Sequence, residues 1–108
     1  MDKISHSQLV NDALVYLCSH PRYKIRAWKQ IVGTFETEWG SKVKVGVPGM
    51  ADIGGIIYPG KILQVECKVL RDKQRERQIA WEAMIHELGG IYILARSIED
   101  VERGLSVS

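Results

Sequence analysis

The chain has 108 residues, 45% hydrophobic and 26% charged, with a formal net charge of +2. That length suits one domain with a real core and is too short for two of ordinary size, so residues 1–108 are expected to form a single unit. No apolar run approaches the roughly 20 residues of a membrane span, and so small a net charge neither requires nor forbids a nucleic-acid partner.

The first predicted element is a helix over residues 5–19, where Leu9, Val10, Ala13, Leu14, Tyr16 and Leu17 recur at three- and four-residue intervals and Ser5 or Ser7 can cap. This amphipathic start lacks the unbroken apolar centre and cleavage site of a secretory signal, so the protein is expected in the cytoplasm. After His20-Pro21, the run Tyr23 to Ile31 alternates Tyr23, Ile25 and Ala27 against Lys24, Arg26 and Trp28. That is the pattern of a half-buried strand with one basic, aromatic face. Gly33 to Met50, rich in Gly and charge, reads as a loop containing a short strand-like stretch, Lys42-Val43-Lys44-Val45. Two strands follow, Asp52 to Tyr58 and Lys61 to Val69. Pro59-Gly60 favours a turn between them, so they should form an antiparallel hairpin. From Lys73 to Leu88 the residues Trp81, Met84, Ile85 and Leu88 make one helical stripe, which Gly89-Gly90 ends. Ile91 to Ala95 reads as a central strand, and Ser97 can cap a last short helix toward Gly104. The class is therefore α/β, in the order α-β-β-β-α-β-α. Cys18 and Cys67 lie inside apolar periodic segments without the paired spacing of a zinc site, and both are expected to be buried free thiols.

Alternation in the strand ending at Val69 puts Leu63, Val65, Cys67 and Val69 on one face and Gln64, Glu66 and Lys68 on the other. Glu66 and Lys68 then point the same way, about 6 to 7 Å apart, in a segment apolar enough to be central. A cross-strand ion pair on a solvated face is the ordinary explanation of such a pair. Asp52 changes the balance, because folding the hairpin back brings it beside the Glu66 end. Two carboxylates on adjacent strands suit Mg²⁺, which takes one or two carboxylates and completes its shell with water and substrate phosphate. A neighbouring lysine can hold or help deprotonate the attacking water, as metal-assisted phosphodiester hydrolysis requires. Gln78 extends the buried stripe of its helix by one turn, where its amide could orient Lys68 or the water, or sit in solvent at the core rim. Arg71, Lys73, Arg75 and Arg77, with Lys24, Arg26 and Trp28 on another strand, suit a phosphate backbone. Asp72 and Glu76 dilute the first group, and a solvated helix start is its plain alternative.

Asp52, Glu66-Cys67-Lys68, Gln78 with Trp81, and Gly89-Gly90 running into Ile91-Tyr92-Ile93-Leu94-Ala95-Arg96 resemble the VRR-NUC family of the PD-(D/E)xK nuclease superfamily. The resemblance covers nearly all of the chain apart from residues 28–42. It implies a restriction-endonuclease-like core with a helix-flanked mixed sheet, and catalysis by Asp52, Glu66, Lys68 and Gln78. It also implies a Mg²⁺ or Mn²⁺ site using Asp52, Glu66 and Cys67, and DNA cleavage. Standalone members of this size are similar to Holliday junction resolvases, which work as homodimers. Two departures stand out: Ala51 occupies the position of the family's proline, and the first helix lacks the family's early glutamate, leaving His6 or Gln8 in its place. The rival readings are a non-catalytic DNA-binding module of the same fold and a small protein-interaction domain. His6, His20 and His86 have no serine or cysteine partner in a nucleophile arrangement, and no Gly-rich phosphate loop is present. Trp28 and Trp39, without an obvious core place, are candidates for a subunit contact.

Overall fold

The computed structural model describes residues 4–107. The first helix, α1 (His6–Cys18), starts where the Oγ of Ser5 accepts a hydrogen bond from the Gln8 N–H at 3.1 Å. That bond satisfies one of the donors a helix start leaves free. Leu9, Val10, Ala13 and Leu17 are its buried residues. Cys18, one position beyond Leu17 in the last turn, falls off this stripe and is exposed, contrary to expectation.

The alternating segment becomes β1 (Ile25–Lys29), with Ala27 buried and Arg26 and Trp28 exposed. The expected loop over Gly33 to Met50 is instead largely a hairpin. Within it, β2 (Gly33–Glu36) and β3 (Lys42–Val45) pair antiparallel as a separate two-stranded sheet, with Phe35 opposite Val43. Its strands are only four residues each and bury little, so neither periodicity nor a core stripe announces the first of them.

The main sheet completes as the turn and strand signals predict. β4 (Ile53–Ile57) and β5 (Lys61–Cys67) form the antiparallel hairpin across Pro59-Gly60. α2 (Glu76–Glu87) then crosses over to β6 (Ile91–Ala95), which pairs parallel with β5, and α3 (Ile98–Ser106) closes the order. The strands lie in the order β1-β4-β5-β6, a mixed sheet flanked by helices, and the fold is α/β. Helix α2 begins three residues later than the pattern suggests, so Lys73 precedes it, and Leu88 is its exposed C-cap rather than a core residue.

The two faces of the sheet differ. Ile53, Leu63, Val65, Cys67, Ile91 and Ile93 meet α1 and α3 in the main core. The opposite face carries Trp28, Ile56, Ile62, Gln64, Glu66 and Tyr92, as the cross-strand register requires. Helix α2 covers this face only over β5 and β6, through Trp81, Met84 and Ile85, and leaves Trp28, Ile56 and Ile62 open. No helix is long and apolar enough to cross a membrane among the described residues.

Candidate active site

Pairing of Ile53 with Val65 sets Asp52, one residue earlier, beside Glu66. Strand alternation sends Cys67 into the core and turns Gln64, Glu66 and Lys68 toward α2, where they are only 3%, 2% and 6% exposed. Three buried polar residues in and just after a central strand are costly unless bonded, and each is. The Oε1 of Glu66 accepts the Asp52 N–H at 3.2 Å, and its Oε2 accepts from Gln78 Nε2 at 2.6 Å and lies 3.3 Å from Lys68 Nζ. Gln64 Oε1 accepts from Trp81 Nε1 at 2.9 Å and from Gln30 Nε2 at 3.0 Å. Asp52 Oδ2 accepts the Cys67 N–H at 2.8 Å and lies 3.2 Å from His6 Nε2, which is itself 3.0 Å from the Cys67 carbonyl oxygen.

Burial first, and the charge of Asp52 second, raise the Glu66 carboxyl above its ordinary value, with Lys68 pulling the other way. One lysine beside two carboxylates leaves room for a cation. The Cys67 thiol is pushed up to about 12, by burial and then by the same two carboxylates, so it stays protonated and inert. What Cys67 presents to the site is its backbone carbonyl. Among the described residues no three His, Cys, Asp or Glu side chains form a metal-holding group. The convergence consists of the Asp52 carboxylate, the Cys67 carbonyl and the His6 ring, with Glu66 adjoining. Such a small oxygen-rich set fits a cation that keeps several waters, as Mg²⁺ and Mn²⁺ do. Buried ion pairs seldom add net stability over apolar residues of the same volume, so packing alone gives little reason for the bonded Glu66–Lys68 pair beneath α2.

The remaining candidates divide by position. Gln78 reaches Glu66 rather than Lys68, and its Oε1 accepts the Arg75 N–H at 2.8 Å, tying the start of α2 to the carboxylate. Arg75 and Arg77 line a cleft of about 750 Å³ together with Pro48, Asp52 and Gln78. Gly49 also lines this cleft, and its φ of +91° and close approach to the Arg77 carbonyl leave no space for a side chain. Arg71 and Lys73 are exposed ahead of α2. Lys24 and Arg26 are not brought to the site: Arg26 pairs with Ile56, four residues and about 13 Å along β4 from Asp52 at ~3.3 Å per residue. Lys29, at the near end of β1, lines a recess with His6 and Asp52 instead. Gln8, the alternative to His6, is exposed, and its backbone is engaged with Ser5. Gln30 and Gln64 have no assigned role from sequence, although Gln64 shares the alternating face of Glu66 and Lys68, and that signal could have found it. No protein-family model matches the chain, and no curated protein matches it.

Proposed function

We propose that this protein is a Mg²⁺- or Mn²⁺-dependent endonuclease that hydrolyses phosphodiester bonds in branched DNA such as Holliday junctions, as a homodimer in the cytoplasm. The observation that carries the reading is the buried Glu66–Lys68 pair, bonded to Gln78 and to the backbone of Asp52 at the edge of a cleft lined by Arg75 and Arg77. A bound cation would be held by Asp52, Glu66 and the Cys67 carbonyl, supplying Lewis acidity toward the phosphate and a more acidic water. Lys68, as an ammonium, holds the attacking water by its oxygen and favours loss of that water's proton to solvent, and its charge meets the negative charge that develops on phosphorus-bound oxygen. The water oxygen bonds to phosphorus as the bond to the leaving sugar oxygen breaks. Gln78 fixes the Glu66 carboxylate, while Arg75 and Arg77 hold the backbone on either side of the reacting phosphate.

Assembly rests on apolar surface. Trp39, at the tip of the β2–β3 hairpin, is 84% exposed, and Trp28, Phe35 and Ile56 are exposed as well. Aromatic side chains concentrate at subunit contacts, and a two-fold pair would set two sites across a junction. The test is a panel of labelled four-way, flap, nicked and duplex DNAs incubated with wild type and Asp52→Ala in Mg²⁺ and in Mn²⁺. Paired symmetric cuts in the four-way junction, absent in Asp52→Ala, are expected. DNA retention without cleavage in either metal would make the chain a binding module. Sedimentation at micromolar concentration showing only monomer would remove the dimer.

A further inference from the structure

We infer that His6 is a direct ligand of the site's cation, giving a mixed imidazole and oxygen donor set that favours Co²⁺ and Ni²⁺ over Mg²⁺. The inference rests on the metal-dependent reading above and concerns which cation that site selects. Its basis is the spacing of three atoms from three elements. His6 Nε2, from the first turn of α1, lies 3.2 Å from Asp52 Oδ2, at the entrance to β4, and 3.0 Å from the carbonyl oxygen of Cys67, at the end of β5. Neighbouring ligand atoms around an octahedral ion with bonds of roughly 2.1 Å are separated by √2 times that length, about 3.0 Å. The two observed separations, which in the metal-free chain are hydrogen-bond distances, also match edges of such a coordination shell.

The His6 side chain is 47% exposed, and among the described residues its partners are these two oxygens. A carboxylate and a carbonyl suit Mg²⁺ and Mn²⁺, whereas an imidazole adds most for later first-row ions, whose affinities rise from Mn²⁺ through Co²⁺ to Ni²⁺. Among the described residues, His20 is engaged with Glu102 and His86 pairs with Glu82 on the exposed side of α2. His6 is thus the imidazole that the fold brings to Asp52.

The test uses the whole chain and two readouts that do not depend on cleavage. Calorimetric titration with Mg²⁺, Mn²⁺ and Co²⁺ is run on wild type, His6→Ala and Asp52→Asn, with metal-free melting curves to verify folding. Pulsed electron paramagnetic resonance of the Mn²⁺ complex then looks for imidazole ¹⁴N coupling. The expected result is ¹⁴N coupling in wild type that disappears in His6→Ala, with Co²⁺ affinity falling roughly tenfold or more and Mg²⁺ affinity changing by less than about threefold. Metal binding that is lost in Asp52→Asn but unchanged in His6→Ala, without ¹⁴N coupling, would overturn the inference and leave the metal site standing. Tighter binding in His6→Ala would overturn it too, showing a ring that blocks the cation. No divalent binding to wild type at all would overturn the metal-dependent reading and this inference together.

Discussion

Replacing Lys68 by Met, and separately replacing both Glu66 and Lys68 by Met, should affect stability very differently while ending cleavage in both. Lys68 Nζ lies 3.3 Å from Glu66 Oε2, and the two side chains are only 8% and 2% exposed. Removing one partner of such a buried pair leaves the other charge stranded, which costs roughly 3–5 kcal/mol. The low end, about 3 kcal/mol, applies because Glu66 keeps its bonds from Gln78 and the Asp52 N–H. At about 4 °C per kcal/mol for a chain of this size, Lys68→Met should melt ~12 °C lower. The double variant exchanges an ion pair for apolar volume, which is neutral or favourable by about 1–4 kcal/mol. Against this, Gln78 and the Asp52 N–H lose an acceptor, at about 1 kcal/mol each. Its melting temperature should stay within a few degrees of wild type. The loss in Lys68→Met should also depend on pH. The folded Glu66 carboxyl binds its proton more tightly than in the unfolded chain, so stability falls as pH rises through that window. Removing Lys68, which pulls the value down, extends the window upward. The single variant should lose little near pH 5 and the full amount by pH 8. Scanning calorimetry at both pH values reads this directly. Equal destabilisation of the two variants, or a loss in Lys68→Met that ignores pH, would refute the reasoning.

Gln78→Ala should lower the cleavage rate by roughly 10- to 100-fold without abolishing it, because Gln78 positions Glu66 rather than bonding the phosphate. An unchanged rate in single-turnover assays would remove that role. Arg75→Glu with Arg77→Glu should weaken DNA binding and reduce the log–log salt slope by about 2, near 0.9 per lost phosphate contact. Lys24→Glu with Arg26→Glu should change it less, and the reverse ranking in a salt titration would put the DNA at the far end of β1. Glu102, bonded to His20, Tyr16 and Arg22, has its carboxyl lowered to about 2. Its stabilisation is therefore complete above the ordinary carboxylate value of about 4.5 and lost as pH falls toward 2. Denaturant midpoints of Glu102→Gln and wild type should differ at pH 6 and converge near pH 2, and a constant gap would exclude this linkage.

Local periodicity and turn chemistry determined most of the architecture. The three- and four-residue recurrence of Leu9, Val10, Ala13 and Leu17, the Pro59-Gly60 turn and the apolar run Ile91 to Ala95 each specify an element through neighbours in the chain. The same holds for the centre of the site. A strand's two-residue period puts Glu66 and Lys68 on one face, and the hairpin folds Asp52 back against them, so this trio is legible in sequence. The chain alone did not reveal the β2–β3 hairpin, whose four-residue strands bury almost nothing. Nor did it show that Cys18 is exposed, because one helical position decides between core and solvent there. Only the tertiary structure set His6 rather than Gln8 beside Asp52, joined Gln78 to Glu66 rather than to Lys68, and separated Lys24 and Arg26 from the cleft that Arg75 and Arg77 line. These are contacts between elements distant in sequence. Which residue of α1 meets Asp52 depends on how the helix is rotated and docked against the sheet, and the joint packing of Leu9, Val10 and Ala13 against β1, β5 and α3 sets that angle, not any local pattern.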